Sequence, residues 1–354
     1  MSKRSSIVAS EAELQAYYQE LKAEHLTPAW TAIAVTNKPE TKAVPFVWHW
    51  RELRRQAMRA AELVGTEQAE RRVLRMSNPG LQGSASNTLV ANIQVVMPGE
   101  VARAHRHSAS ALRLIIESKG SYTLVNGERI PMYPGDLVLT PNWTWHDHAN
   151  DTDEPAIWLD GLDTPLVRML EAGFFEEYTA EVQRARDAPD PTVAKYGTGG
   201  LRPAWAGATG KAYSPLWHYP YTQVKATLER LAMHETGSPF DGIVMEYTNP
   251  ETGGPAMPTI TCHVQLLRPG MHTQAHRHLC CNNYHVIEGD GYSIVGGQRL
   301  DWADKDTFVV PSWAWHEHVN TGSRNAVLFS FSDAYHMKAI DLYREEPHPN
   351  GRQG

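Results

Sequence analysis

Residues 104–117 read AHRHSASALRLIIE, and the tetrapeptide AHRH returns at residues 275–278. In a strand, alternate side chains share a face, so His105 and His107 point the same way, as do His276 and His278. Two imidazoles on one face call for a common partner, and their repetition calls for a duplicated scaffold. The duplication extends well beyond the tetrapeptide. NTLVANIQVVMPGEVARAHRH from Asn87 aligns with PTITCHVQLLRPGMHTQAHRH from Pro258, and PGDLVLTPNWTWHDHAN ending at Asn150 aligns with DKDTFVVPSWAWHEHVN ending at Asn320. Upstream, Trp48-His49-Trp50 pairs with Trp217-His218-Tyr219, so the repeat spans roughly residues 45–160 and 214–330.

Within each copy, apolar residues at helical spacing over residues 51–64 and 222–233 predict one helix. Short runs follow, such as ALRLIIE, SYTLV, DLVLT and TFVVP, cut by Gly, Pro and Asn-Gly turns. That rhythm predicts an all-β-dominated chain with a sandwich or barrel in each half. The expected layout is an N-terminal arm with one polar helix (1–44), a first barrel (45–164) and a connector containing DAPDPT and KYGTGG (165–213). A second barrel (214–332) and a tail (333–354) complete it.

Each copy also supplies a third histidine in Pro-x-Trp-x-Trp-His: His146 in the first, His316 in the second. Strands of a small barrel can gather such positions at its mouth, giving a three-imidazole metal face with coordination positions left open. Scattered core or surface histidines would not repeat in this pattern, although the chain has 17.

Composition limits the function classes. The 354 residues carry a formal net charge of -7 and 42% hydrophobic residues, enough to bury full cores and without the basic footprint of a nucleic-acid or anionic-membrane binder. The start, MSKRSSIVASEAELQAYYQEL, is charged where a signal peptide has an apolar core, and no run approaches a bilayer span. These features predict a soluble cytoplasmic protein. Cys262, Cys280 and Cys281 are an odd set with two adjacent members, expected to be reduced and buried.

The motifs resemble the cupin superfamily. Gly99, five residues and then His105-x-His107 fit its first motif; Gly135, Pro141, His146 and Asn150 fit its second. The glutamate that usually follows HxH is replaced by Ala111 and Leu112. A three-histidine set with HRH and then Ser-Ala-Leu-Arg is similar to the bicupin dioxygenases acting on gentisate, salicylate and 1-hydroxy-2-naphthoate. NPGL at Asn78, PGE at Pro98, TWHDH at Thr144 and WLDGLD at Trp158 extend the likeness over most of the chain. The resemblance implies two tandem double-stranded β-helix (jelly-roll) barrels with flanking helices. It also implies Fe(II) held by His105, His107 and His146, O2 as co-substrate, and cleavage between the carboxyl- and hydroxyl-bearing carbons of a 2-hydroxybenzoate-type acid. Gentisate leads, with salicylate, substituted salicylates and 1-hydroxy-2-naphthoate as alternatives and a homotetramer as the expected assembly. A non-catalytic metal-binding or storage bicupin is the reading from a different class.

Comparing the copies points to the first as the catalytic one. Arg113 aligns with Tyr284, while Arg71 and Arg75 align with Gly242 and Glu246. Only the first copy keeps guanidinium groups suited to a substrate carboxylate. Arg71 and Arg75 are expected to share one face of a strand. His148, on the face of His146, is a candidate proton carrier or hydrogen-bond donor, and Asp160 a candidate to orient it or a ligand imidazole, with a structural hydrogen bond as the alternative for each. The strand LVANIQ from Leu89 should shape the ring pocket, with Gln94 facing the cavity. The family usually carries an aromatic residue and a glycine where this chain has Val90 and Asn92, which bears on ring substituents. In the second copy, His276, His278 and His316 form a possible second metal site, with His263 as a potential fourth ligand.

Overall fold

The computed structural model describes residues 9–32, 36–65, 68–69, 71–186, 191–197, 203–205 and 207–353. DAPDPT and KYGTGG therefore lie partly outside the described residues. The chain divides into two units after Glu40. In the first, helix α1 (Glu11–Ala23) opens on a capping box: the Ser10 hydroxyl accepts from Glu13 N, and the Glu13 carboxylate accepts from Ser10 N. It buries none of its side chains, in keeping with a polar arm. A one-turn helix, α2 (Ala29–Ala32), follows.

In the second unit, the first copy runs β1 (Phe46–Trp48), α3 (Trp50–Leu63), β2 (Arg72–Met76), β3 (Val90–Val96), β4 (Val101–His107) and β5 (Ala111–Glu117). It continues β6 (Tyr122–Val125), β7 (Glu128–Pro131), β8 (Leu137–Thr140), β9 (His146–Ala149), β10 (Ala156–Leu162), α4 (Thr164–Met169) and β11 (Phe175–Glu177). After α5 (Pro191–Tyr196), the second copy opens with β12 (His218–Tyr219), α6 (Tyr221–His234), β13 (Ile243–Glu246), β14 (Thr261–Leu267), β15 (His276–His278) and β16 (Asn282–Glu288). Then come β17 (Gly291–Val295), β18 (Gln298–Trp302), β19 (Thr307–Val310), β20 (His316–Asn320), β21 (Ala326–Ser332), α7 (Ala334–Ala339) and β22 (Glu345–Pro347).

Each barrel pairs a six-stranded with a five-stranded sheet. The first has orders β12-β8-β5-β10-β3-β2 and β11-β4-β9-β6-β7; the second has β1-β19-β16-β21-β14-β13 and β18-β17-β20-β15-β22. Two features differ from a simple tandem. The strand that opens each copy pairs in the other copy's sheet, Val47 opposite Phe308 and His218 opposite Val138. The repeat also runs past residues 160 and 330, because β11 and β22, placed by the sequence in connector and tail, extend the five-stranded sheets.

The exchange fixes the helices. Neither α3 nor α6 has a side-chain cap of its own, and a carboxylate from the opposite barrel supplies it. Asp306 accepts from Trp50 N at 2.7 Å and Asp136 from Tyr221 N at 2.8 Å, satisfying donors that a helix start leaves open. Gly135 is needed beside Asp136: its φ is +88°, and a Cβ there would lie 2.4 Å from the Tyr221 ring.

The six-stranded sheets bury both faces. Ile93, Leu114 and Leu159 of the first join Val264, Phe329 and Phe331 of the second in one apolar cluster, so the barrels dock sheet against sheet. The approach is close at Gly161, where a Cβ would meet Phe331 at 2.7 Å. Thr259 Oγ1 bonds Asp163 across this junction, and Thr88 Oγ1 bonds Asp333 reciprocally. The opposite faces of the same strands fill the barrels: Ile115, Val138 and Trp158 in the first, Val286, Phe308 and Leu328 in the second. The three cysteines are free and buried, as the sequence predicts.

Candidate metal centre

His105 on β4 lies directly opposite His146 on β9, and the two-residue period brings His107 to the same face. Ring centroids are separated by 4.1 Å (His105 to His146), 4.9 Å (His107 to His146) and 5.3 Å (His105 to His107). One nitrogen from each ring lies within 4.8 Å of the others. Backbone carbonyls orient all three: Nδ1 bonds Arg103 O at 3.1 Å in His105, Ala109 O at 2.8 Å in His107 and Thr144 O at 3.0 Å in His146. A carbonyl only accepts, so Nδ1 carries the proton in His107 and His146 and their Nε2 keeps its lone pair; in His105 the Arg103 carbonyl favours the same tautomer against the Arg71 guanidinium, a second donor that crowds Nδ1. Burial first, then neighbouring cationic groups, pushes His105 down to about 2 and His146 well below the ordinary imidazole range; burial also brings His107 to about 4. Three neutral nitrogen donors on one face fit a divalent transition metal with open positions.

The residue between the paired ligands has a purpose that the sequence did not disclose. Arg106 points outward, its guanidinium carbon 4.4 Å from the ring centroids of both Trp143 and Trp145, and donates to Glu176 on β11 at 2.6 Å. Trp143 sits at φ +58°, a conformation costly for an aromatic residue and held here by that clamp. Arg277, Trp313, Trp315 and Glu346 repeat the arrangement. The coupling of HRH to WxWH is thus structural: one arginine locks the loop that delivers the third histidine. Phe175, also on β11, stacks on His105 with centroids 5.3 Å apart.

Above the triad, the six-stranded sheet carries a row of polar side chains. Arg75 is opposite Asn92, Asn92 opposite Asp160, and Asp160 opposite Arg113. Arg113 is buried; its Nη1 donates to Thr140 Oγ1 at 2.8 Å, and its Nε lies 3.3 Å from Asp160 without hydrogen-bond alignment. Burial raises Asp160 to about 6 even though Arg113 opposes the shift. Asp160 accepts from Trp158 Nε1 at 3.0 Å. It therefore serves Arg113 and Trp158, which is the structural hydrogen-bonding alternative to orienting His148 or a ligand, because strand register puts it opposite Arg113. Asn92 Oδ1 and Gln94 Nε2 are buried without partners, and Arg75 stands at the exposed end of the row, 3.5 Å from Gly83 O. Arg71 precedes β2 rather than lying in it, so it does not share a strand face with Arg75. Its Nη2 converges with His105 Nδ1 on the Arg103 carbonyl, at the edge of that imidazole away from the triad centre.

His148 is held with its outer nitrogen unspent. Thr123 Oγ1 donates to Asp147 O at 2.8 Å and so accepts from His148 Nδ1 at 2.6 Å, leaving a buried Nε2 lone pair with no partner.

The second triad has matching geometry. His276 to His316, His278 to His316 and His276 to His278 are separated by 4.3, 4.8 and 5.2 Å. Its surroundings differ: Tyr284 replaces Arg113, and His263 stands opposite Glu246 and Ser330 on the six-stranded sheet, outside the histidine group.

Comparison with known proteins agrees with the geometry. Residues 92–161 and 263–332 each match the Cupin domain family. The chain is 40% identical to gentisate 1,2 dioxygenase 1 of Aquipseudomonas alcaligenes, over 94% of its own length and 96% of that protein's. It is 41% identical to a 5-aminosalicylate 1,2-dioxygenase of a Comamonas species, over 94% and 90%. The crystal structure of a salicylate 1,2-dioxygenase from Pseudoaminobacter salicylatoxidans with gentisate matches with a TM-score of 0.90 at 34% identity, covering 98% of each chain.

Proposed function

The chain belongs to the bicupin gentisate and salicylate 1,2-dioxygenases, and from that premise we propose that it is an iron(II) enzyme opening the ring of a 2-hydroxybenzoate-type acid, with gentisate as its leading substrate. The observation that carries this reading is the first triad: three imidazole lone pairs on one face, beneath a buried guanidinium. His105, His107 and His146 are the ligands. Ferrous iron supplies what side chains lack, chelation of an adjacent carboxylate and hydroxyl and the electron-transfer chemistry that ground-state O2 requires.

The chain's own residues do the rest. Arg113, desolvated and incompletely satisfied by Asp160, pairs with the substrate carboxylate and stabilises negative charge developing at the ring. Arg75, at the exposed end of the same row, draws the anion in, and Arg71 backs His105. The free Nε2 of His148, kept neutral by burial, accepts a hydrogen bond from the ring hydroxyl. Gln94 Nε2 donates to substrate oxygen. Trp158, Ile115 and Val138 keep water out of the chamber.

Asn92 favours a refinement. Its unpartnered amide oxygen accepts from a 5-hydroxyl or 5-amino group, so gentisate and 5-aminosalicylate should outrank salicylate and 1-hydroxy-2-naphthoate. Oxygen uptake by iron-loaded protein over these four acids tests both levels. Uptake highest with the two 5-substituted acids supports the reading, salicylate ahead of both removes the Asn92 assignment, and no uptake with any acid returns the chain to a non-catalytic bicupin. No described helix is long and apolar enough to cross a membrane. We place the enzyme in the cytoplasm as a homotetramer, an assembly that light scattering checks.

A further inference from the structure

The two triads share their geometry and, among the described residues, differ in the charges around their first histidine. At His105, Nδ1 faces a backbone carbonyl and the guanidinium of Arg71. At His276, a carboxylate stands at each nitrogen. Glu345 Oε1 accepts from Nδ1 at 3.0 Å, and Asp241 Oδ1 lies 3.7 Å from Nε2. The Glu345 bond puts the ring proton on Nδ1, so the nitrogen facing Asp241 is a lone pair. A lone pair and a carboxylate oxygen repel each other unless a proton or a metal cation lies between them, and 3.7 Å is too long for a shared proton. The alternative, an imidazolium clamped by two carboxylates, requires a second hydrogen bond; 3.7 Å is too long for one, and His276 Nε2 is buried without a partner.

The rest of the site agrees but for His278. His316 Nε2 is buried and unpartnered, with its Nδ1 fixed on Ala314 O at 3.0 Å. His278 differs: its Nε2 accepts from Asn282 Nδ2 at 3.4 Å and its Nδ1 lies 3.0 Å from Cys280 Sγ, so the Asn282 amide must turn away before a cation binds there. Ser238 Oγ bonds Asp241 Oδ2 at 3.0 Å, leaving Oδ1 turned to His276. Phe240 stacks on His276 at 4.9 Å and fixes the ring plane. Two donors on one four-coordinate zinc-type ion lie about 3.3 Å apart, as follows from bonds of roughly 2.0–2.1 Å; Asp241 Oδ1 is 3.7 Å from His276 Nε2 and outside the group whose ligand atoms all lie within 4.8 Å of one another, so its carboxylate must turn inward to become a ligand.

We propose that His276, His278, His316 and Asp241 form a four-coordinate site for a divalent cation of the zinc class, closed by its carboxylate and structural in role. Three imidazoles and one carboxylate complete a tetrahedron and leave no position for substrate; among the described residues the first triad's group is its three histidines alone, and Glu70, which aligns with Asp241, lies outside those residues. The carboxylate departs from the sequence-based choice of His263 as fourth ligand: it comes from the turn before β13, within one residue of the position equivalent to Arg71.

The test uses the full chain with the first triad removed, His105→Ala/His107→Ala, loaded with Co2+ and dialysed. Expected are about one metal per chain and the intense visible bands of four-coordinate cobalt. Adding Asp241→Asn, nearly isosteric and checked for folding by circular dichroism, should weaken affinity by about tenfold or more and diminish those bands. Absence of metal from the folded double variant overturns the site. Metal retained with affinity and spectrum indifferent to Asp241→Asn overturns the carboxylate as its fourth ligand. Neither readout depends on turnover.

Discussion

Across the interior of the first six-stranded sheet the register runs Arg75, Asn92, Asp160, Arg113, Val138; across the second it runs Glu246, His263, Ser330, Tyr284, Phe308. The triads beneath have nearly equal spacings, and the arginine clamps behind them are duplicated. Two guanidiniums and one carboxylate line the first chamber. The second has a carboxylate and stacked rings, with Tyr284 and Phe308 centroids 4.9 Å apart. Under the proposed function, the guanidiniums of the first chamber attract an aromatic anion, which would meet packing and like charge in the second. The difference teaches that cupin geometry repeats the ligand face in both halves, while one row of side chains sets the charge above it, the feature on which the proposed function rests.

The largest expected effect comes from the first triad. His146→Ala removes one of three protein ligands and should abolish bound iron there together with oxygen uptake. Metal analysis of the site and oxygen electrode traces check this; ring cleavage surviving in the variant would move catalysis to the other barrel.

Arg113 is the next step down. Removing it alone leaves Asp160 buried without its counter-charge, so Arg113→Met would confound activity with stability. Arg113→Met/Asp160→Asn removes both charges and should keep fold and metal while losing roughly tenfold to a hundredfold in kcat/KM, the equivalent of about 1.5–3 kcal/mol for one charge-assisted bond. An unchanged kcat/KM would make the row's charge irrelevant and break the comparison.

How much of this was legible in the sequence follows from the range of each interaction. The triads could be read because a two-residue period and a loop histidine were written twice. Duplicated strand rhythm likewise gave two barrels. The strand exchange could not be read, since FVW and HY are too short to identify the barrel they join. Asp160 stayed open between orienting an imidazole and closing a structural hydrogen bond because its partner, Arg113, is set by a register between residues 47 positions apart. Glu176 and Glu346 were missed because FFEEY and YREEP share little beyond a pair of glutamates, although both sit on the strands that clamp Arg106 and Arg277.

The exchanged caps give a smaller, symmetric prediction. Asp136→Ala and Asp306→Ala each remove the acceptor at the start of a helix packed on the opposite barrel, and each should cost about 1–2 kcal/mol in denaturant unfolding. A loss confined to one of them would show that the barrels depend on each other unequally.

The finest test lies at the junction, where Asp163 and Asp333 receive reciprocal threonine bonds. Burial raises Asp163 to about 6, the bonds from Thr259 and Ser110 opposing it only in part. A carboxyl group whose folded pKa exceeds its unfolded value favours folding while it is protonated. Its contribution is full below about pH 4 and is lost as pH rises through about 6, a change of roughly 2–3 kcal/mol at most. Other carboxylates act in the opposite direction, so the measurement is a difference: wild type minus Asp163→Asn in unfolding free energy from pH 4 to 7. That difference should fall with rising pH and level off above about 6. A flat difference would mean that Asp163 is ionised throughout and that the Thr259 and Ser110 bonds, rather than burial, control this side of the junction.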